Sequence, residues 1–181
     1  ENVVNNNVGF NVEADSLNAA ILGPDLSSDD EAYHLFLRNL QTEITQKAGQ
    51  KCTAIRRIFV PVGMMDQVQE DLIERFSDVK VGNPDLREVT VGPLATLQQK
   101  EEALKGIGQL IEDGASLFFG TPDKPDLVDI DHGNGYFVGP ALLRVEQPQE
   151  HPSVHDVEVF GPVSTLMPYQ DEEDAISLVA K

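Results

Sequence analysis

The sequence has little of several residue types, and each shortage excludes a class of protein. It holds only one cysteine, Cys52, so an internal disulfide framework cannot form. No apolar run approaches the roughly 18 residues that a transmembrane helix needs. The first ten residues also lack the basic and apolar parts of a signal peptide. We therefore expect a cytoplasmic protein without a membrane partner.

Basic residues are scarce as well. The chain has 13 Lys and Arg against 31 Asp and Glu, which gives a formal net charge of −18. Such a surface repels phosphate backbones, so we expect no nucleic-acid partner. A substrate or cofactor that carries phosphates would need a local basic patch, and the candidates for it are Lys47, Lys51, Arg56 and Arg57.

Strand-like and helix-like segments alternate along the chain. The patterns predict a short buried strand at 17–22, a helix at 29–48 ending at Gly49, and a strand at 57–61. A second helix runs through Met65 and Phe76, and a turn follows at 81–85. A third helix spans 95–113 with Leu104, Ile107 and Ile111 on one face, and the apolar stretch SLFFG comes next at 116–120. Apolar segments at 136–143 and 163–169 follow a polar loop. Alternation of this kind predicts an α/β fold in one domain, residues 1–181, with a mainly parallel sheet covered by helices.

Both ends suggest a segment of a longer chain. There is no initiator methionine, and the sequence stops inside the amphipathic pattern DEEDAISLVAK without a helix-ending residue. We interpret residues 1–181 as a part of a larger parent protein.

The segment KAGQKCTAIRRIFVP, residues 47–61, carries the most chemical information. It places Cys52 in a tight, glycine-containing loop between a helix and a strand. Positive charge from Lys51, Arg56 and Arg57 would favour the thiolate, which is the reactive form of cysteine. A lone cysteine is more often a small buried hydrophobe, and one cysteine near basic residues is a common pattern, so these residues alone favour a structural role.

Several blocks together resemble the aldehyde dehydrogenase family. In chain order they are VEADSLNAAIL (12–22), the Gly-Gln-x-Cys run at Cys52, KVGNP (80–84) with VGPL (91–94), GYFVGPALL (135–143) and EVFGPV (158–163). The run before Cys52, the ADSLN run and HDVEVFGPV are most similar to dehydrogenases for CoA-linked semialdehydes in bacterial phenylacetate and benzoate breakdown. In the phenylacetate protein the dehydrogenase is fused to a hydratase, of which this sequence shows nothing.

The resemblance implies a role for four residues. Cys52 matches the nucleophile, and Glu13 matches the carboxylate that activates water. Here the usual Glu-Leu-Gly-Gly run reads Glu-Ala-Asp-Ser from Glu13 onward. Glu158 and Phe160 match the Glu-x-Phe-Gly-Pro motif, in which the carboxylate binds the nicotinamide ribose and the ring packs near the nicotinamide. We expect Cys52 on a partly exposed loop at the sheet's edge, with Glu13 within about 10 Å, a family-scale distance that allows for loop mobility.

The resemblance also implies a fold, a cofactor and partners. The fold would be the three-layer αβα catalytic domain of the family, and the cofactor NAD or NADP. No glycine-rich phosphate loop occurs here, so the main dinucleotide-binding domain would lie elsewhere in the parent. The substrate would be a small aldehyde, possibly CoA-linked, and the parent a homo-oligomer. The isolated fragment should show neither turnover nor appreciable NAD binding.

Two other functions remain open at this point. A CoA-acylating dehydrogenase would pass the thioester to CoA instead of water, and such relatives dispense with the base. A non-catalytic module would bind a metabolite or a sister subunit with an inert Cys52. We predict no metal site: His151 and His155 are four residues apart, but no third ligand stands out. Asp129, Asp131 and His132 fit a solvated loop, and Asn83, Gly92 and Pro93 fit loop geometry away from the substrate.

Overall fold

The computed structural model describes residues 16–181, and all structural statements below concern this range. The strands are β1 (Asn18–Ile21), β2 (Ile55–Pro61), β3 (Val81–Gly82), β4 (Ser116–Phe119), β5 (Leu127–Val128), β6 (Ala141–Arg144) and β7 (Val163–Tyr169). The α-helices are α1 (Glu31–Thr45), α2 (Met65–Ser77), α3 (Leu97–Glu112), α4 (Ser153–Asp156) and α5 (Glu172–Val179). Short 3₁₀ turns span Gln46–Gly49, Val62–Met64 and His132–Asn134. None of the helices described could cross a membrane.

Five strands form the main sheet in the order β1-β2-β7-β6-β4. Neighbours run parallel, except that β4 is antiparallel to β6. A second, two-stranded parallel sheet joins β3 to β5. The central strand β7 is buried along its whole length, which explains why its sequence VSTLMPY shows no regular alternation of apolar and polar residues. The prediction of a mainly parallel sheet is confirmed.

Helices cover both faces of this sheet. On one face, α1 and α2 pack against β2, β6 and β7 through Tyr33, Leu37, Leu40, Ile44, Val68, Leu72, Phe76, Ile58, Val60, Leu142 and Leu166. On the other face, α3 and α5 pack through Ala103, Ile107, Leu110, Ala175, Leu178, Phe59, Leu143 and Met167. Alternate residues of β2 and β7 enter opposite cores, as the period of a strand requires. The three-layer αβα architecture is therefore confirmed.

The first helix is shorter than predicted. It ends at Thr45 and not at Ala48, because Lys47, Ala48 and Gly49 all adopt positive φ angles of 54°, 53° and 71°. Three successive residues in this region turn the chain sharply toward the next strand. That strand begins at Ile55, two residues before the predicted start, so Arg56 and Arg57 belong to the sheet.

Three other predictions from pattern need correction. The segment 17–22 forms an edge strand that is only partly buried, since β1 pairs with β2 alone. The predicted turn at 81–85 begins with β3, which pairs with β5. The third helix turns Gly106 and Leu110 inward with Ile107, whereas Ile111 is 41% exposed. Glycine carries no hydrophobic signal, so the pattern placed the buried face slightly wrong.

Candidate functional site

Cys52 lies in a tight turn between the 3₁₀ turn Gln46–Gly49 and β2, which we name the cysteine turn, residues 50–54. The turn is closed by a hydrogen bond from the Ala54 N–H to the Lys51 carbonyl, at 3.1 Å. Cys52 is exposed and carries a free thiol. The prediction that this cysteine sits on an exposed loop is confirmed, and its chemical role stays a prediction.

Two side chains from the start of β1 hold the cysteine turn by its backbone. The Ser16 hydroxyl and the Asn18 amide each donate to the Cys52 carbonyl, both at 2.6 Å. The same Asn18 amide group also donates to the Ala54 carbonyl at 3.1 Å. The carbonyls of Cys52 and Ala54 are therefore fixed by side chains that lie 34 to 36 residues earlier in the chain. The sequence analysis assigned no role to Ser16 or Asn18, although both stand in the ADSLN run of a matched block.

Gln50 fixes the N-terminal end of the cysteine turn. Its side-chain oxygen accepts a hydrogen bond from the Ala95 N–H at 3.0 Å. Ala95 directly follows the VGPL block, so two blocks that are over 40 residues apart meet here. The glutamine of the Gly-Gln-x-Cys run thus has a structural task that sequence analysis missed.

The predicted cofactor residues lie in a segment that contacts the same groups, and we name it the glutamate segment, residues 158–162. The Ser16 N–H donates to the Glu158 carboxylate at 3.1 Å. Ser16 therefore binds the Cys52 carbonyl with its hydroxyl and Glu158 with its backbone. The Glu158 side chain is only 9% exposed, whereas the Phe160 residue is 38% exposed. The structure brings Cys52 and Glu158 together through one intermediate residue.

The glutamate segment touches the chain directly before the cysteine turn at a pair of glycines, Gly161 and Gly49. A Cβ atom on Gly49 would lie 2.1 Å from the Gly161 carbonyl oxygen, and Gly49 has a φ of 71°. Both the conformation and the space therefore demand glycine. On its other side the glutamate segment rests on α3. A Cβ on Gly106 would lie 2.8 Å from Val159, and one on Gly161 would lie 3.4 Å from Ala103.

Arg56 links the same two glycines through a buried side chain. Its guanidinium donates to the Gly161 carbonyl at 2.6 Å and to the Gly49 carbonyl at 2.7 Å. Its Nε atom lies 3.7 Å from a Glu158 carboxylate oxygen, and its Cζ atom lies 5.7 Å from the Phe160 ring centre. Burial lowers the pKa of Arg56, and the Glu158 charge partly offsets this effect.

The predicted basic patch for phosphate is wrong for three of its four members. Arg56 is buried in the contacts above, and Arg57 is buried with its guanidinium against the Leu17 carbonyl at 2.9 Å. Lys51 lies 2.7 Å from the Glu43 carboxylate. The two arginines therefore donate to backbone carbonyls, and Lys51 pairs with a carboxylate. Of the four residues, only Lys47 is exposed. Residues adjacent in sequence to Cys52 therefore need not direct their charges toward it.

His155 is buried and engaged on both ring nitrogens. Nε2 lies 2.9 Å from the Pro148 carbonyl, which fixes the proton there. Nδ1 lies 3.2 Å from an Arg57 nitrogen and accepts its hydrogen bond. Burial lowers the pKa of His155, and the charge of Arg57 adds to this effect. These contacts give His155 a structural role that its spacing from His151 did not reveal.

The fourth predicted site residue, Glu13, lies outside the described residues. Its predicted distance from Cys52 therefore stays a prediction, as does its role as base.

The sequence is similar to a known protein family and to several dehydrogenases. A family model described as the aldehyde dehydrogenase family matches residues 10–181. The 3,4-dehydroadipyl-CoA semialdehyde dehydrogenase of Aromatoleum evansii is 41% identical over 99% of this chain and 35% of its own length. A putative aldehyde dehydrogenase of Staphylococcus aureus is 34% identical over 75% of this chain and 27% of its own length. The chain spans about a third or less of these relatives.

Solved structures share the fold. A betaine aldehyde dehydrogenase from Staphylococcus aureus, solved in complex with NAD⁺, superposes with a TM-score of 0.83 at 26% identity and covers 98% of this chain and 33% of its own. A methylmalonate-semialdehyde dehydrogenase from Oceanimonas doudoroffii gives a TM-score of 0.77 at 25% identity, over 91% of this chain and 32% of its own.

Proposed function

Since this chain belongs to the aldehyde dehydrogenase family, we propose that residues 1–181 form the cysteine-bearing catalytic domain of a larger, NAD(P)-dependent aldehyde dehydrogenase. The enzyme oxidises an aldehyde to a carboxylic acid through a thioester on Cys52. One observation carries this proposal. Ser16 binds both the carbonyl of the exposed Cys52 and the carboxylate of Glu158, so one residue positions the nucleophile relative to the proposed cofactor-binding glutamate.

The substrate class is a CoA-linked semialdehyde from aromatic breakdown, of the phenylacetate or benzoate type. The support is the 41% identity, over nearly the whole chain, to a relative named for a CoA-linked semialdehyde. The blocks that carry this narrower similarity include the ADSLN run, in which Ser16 and Asn18 hold the cysteine turn.

The reaction begins at the thiol. The Cys52 thiolate attacks the aldehyde carbonyl carbon, so a C–S bond forms and the carbonyl oxygen becomes an oxyanion. The backbone N–H of Cys52 is one donor to this oxyanion. Loss of hydride from the same carbon leaves a thioester. Water then adds to the acyl carbon, the C–S bond breaks, and the acid leaves with the thiolate regenerated. Glu13 is the base that takes the proton of this water.

Glu158 and Phe160 fit the nicotinamide end of the cofactor, which supplies the hydride acceptor when bound. A carboxylate offers about four acceptor positions. Ser16 occupies one of them, and Arg56 faces another. Two positions are left for the hydroxyls of a ribose. Phe160 presents an exposed ring beside this carboxylate, as a residue that packs on a planar ligand must. The phosphates and adenosine bind the other domain of the parent, a cytoplasmic homo-oligomer.

The test uses the full-length parent enzyme in stopped flow, with absorbance of reduced nicotinamide as the signal. Cys52→Ala should abolish oxidation, because no covalent intermediate can form. Glu13→Gln should keep one burst that is stoichiometric with active sites, since attack and hydride loss precede hydrolysis. Its steady-state turnover should fall by on the order of 10²- to 10⁴-fold, the usual cost of losing a general base.

Glu43→Gln serves as the matched control, because this carboxylate pairs with Lys51, which is next to Cys52 in the chain, whereas Ser16 and Asn18 hold the Cys52 carbonyl. It should turn over normally. Turnover that requires CoA and yields an acyl-CoA would replace the proposal by the CoA-acylating reaction. Oxidation retained by Cys52→Ala would contradict the role of Cys52 and favour a non-catalytic cysteine.

A further inference from the structure

We propose that Arg56 is a positioning residue that sets the pose of Glu158 and thereby the affinity for the nicotinamide cofactor. This inference rests on the proposed function, since it deepens the role of Glu158. Arg56 lies four residues after Cys52, and its side chain is only 4% exposed. It is the point at which the cysteine turn's entry and the glutamate segment are joined.

The guanidinium makes two strong contacts and keeps one donor for Glu158. Two of its nitrogens bind the carbonyls of Gly49 and Gly161 at 2.7 and 2.6 Å. Its Nε is buried and has no hydrogen-bond partner within residues 16–181. This donor lies 3.7 Å from Glu158 Oε1, so a small shift of the carboxylate completes the bond. Because both side chains are mostly buried, the positive charge of Arg56 attracts the Glu158 carboxylate toward its own side with little screening by water.

The two inner contacts of Glu158 come from opposite oxygens. Ser16 binds Oε2 and Arg56 faces Oε1. Because each oxygen is restrained on its inner side, the outer lone pairs of both point away from the core. A vicinal pair of ribose hydroxyls needs two acceptors side by side, and a carboxylate restrained in this way presents them. Phe160 lies over the same guanidinium, so one cation orders both the carboxylate and the ring.

Only arginine has the geometry for this task. The planar guanidinium directs donors to three acceptors in fixed directions, whereas a lysine ammonium is a compact charge on a flexible stem. Lysine at position 56 would keep the charge and lose the simultaneous contact with two carbonyls and Glu158. The conservative change Arg56→Lys therefore separates charge from positioning.

The experiment is a double-mutant cycle in the full-length enzyme. The dissociation constants for NAD and NADP are measured by isothermal titration calorimetry for wild type, Arg56→Lys, Glu158→Gln and the double variant. Each single variant should weaken binding of the preferred nucleotide by about tenfold, the size expected for a disturbed charge-assisted contact. The double variant should bind about as weakly as Glu158→Gln alone, because Arg56 acts through Glu158.

Arg144→Lys is the matched control. Arg144 is also mostly buried and paired, with Asp66 and Glu146 at 2.7 and 2.6 Å, but on another side of the sheet. It should leave the dissociation constant unchanged. The inference would be overturned if the dissociation constant of the double variant rose by the product of the two single effects. It would also be overturned if Arg56→Lys or Glu158→Gln left the dissociation constant unchanged.

A crystal structure of the wild-type enzyme with its cofactor gives a second measurement that needs no variant. Arg56 Nε should remain within about 4 Å of the Glu158 carboxylate, the limit for an ion pair. A carboxylate turned away from Arg56 while it binds the ribose would overturn the inference. These outcomes leave the role of Cys52 untouched, because that role fails only if Cys52→Ala retains oxidation.

Discussion

The cysteine turn and the glutamate segment lie side by side, yet different forces hold them. Cys52 is exposed at the middle of the cysteine turn, and the turn is held by side chains that bind its carbonyls, mainly Ser16 and Asn18. The glutamate segment is held by close packing of its backbone on Gly49 and α3. A few hydrogen bonds are worth little to overall stability but fix geometry, whereas a packed backbone contributes to both. Changes in the turn should therefore affect activity first, and changes in the segment should affect folding first.

The largest effect is expected at the junction of the two parts, from Gly49→Ala. The new Cβ would lie 2.1 Å from the Gly161 carbonyl oxygen at a residue whose φ is 71°. We expect a loss of unfolding free energy on the order of 3 to 5 kcal/mol, measured by denaturant unfolding. Gly63→Ala is the control, since a Cβ there meets nothing within 4 Å. Equal stability of the two variants would show that the junction is looser than described.

A smaller effect on stability and a larger one on chemistry are expected for Asn18→Ala. The change removes the donor to the Cys52 and Ala54 carbonyls. The unfolding free energy should fall by about 1 to 2 kcal/mol. The burst of reduced nicotinamide should slow by on the order of 10²-fold, because a displaced nucleophile loses its alignment.

Asn83→Ala is the control, because it also removes an asparagine side chain that forms hydrogen bonds within a turn. Its side chain accepts from the Asp85 N–H and donates to Asp129, in a turn of the second sheet. It should cost similar stability and leave the burst rate unchanged. A normal burst in Asn18→Ala would contradict the view that β1 positions the nucleophile.

The smallest effects come from a matched pair of glycines in α3. Gly108→Ala should stabilise the protein by roughly 0.5 to 1 kcal/mol, since alanine is the better helix former and the new Cβ meets nothing within 4 Å. Gly106→Ala should lose that gain and destabilise by about 1 kcal/mol, because its Cβ would lie 2.8 Å from the stiff Val159 side chain. Thermal unfolding of both variants measures the difference. Stabilisation by both changes would mean that α3 does not support the glutamate segment by close contact.

The layers of the fold could be predicted from sequence because their signals are local. The apolar period of Tyr33, Leu37, Leu40 and Ile44 identifies one helix, and the alternation of elements identifies the sheet. The end of α1 could not be predicted, since the pattern continues to Ala48 while the chain has already turned at Lys47. Positive φ angles at non-glycine residues leave no trace in a hydrophobic pattern.

Site residues could be predicted where a sequence motif identifies them. They could not be predicted where a residue's role depends on partners that are distant in the chain. Cys52 and Glu158 stand in recognisable motifs. The partners of Arg56 and Arg57 lie up to 122 residues away in the chain, so no spacing indicates them. Charge near Cys52 in sequence therefore suggested a basic patch that Lys51, Arg56 and Arg57 do not form within residues 16–181. Asn18 was missed for the same reason, because its function is to reach another strand's loop.

The strand order has a consequence for how the protein is made. Of the five strands in the main sheet, β7 leaves the ribosome last, yet it lies between β2 and β6 at the centre. Until residues 163–169 arrive, β1 with β2 and β6 with β4 share no strand, and the inner edges of β2 and β6 can pair with another chain. Completion of the core must therefore wait for the end of this segment's synthesis, which makes folding dependent on long-range contacts and slow. Until β7 is made, the growing chain carries two open strand edges that need protection from neighbouring chains.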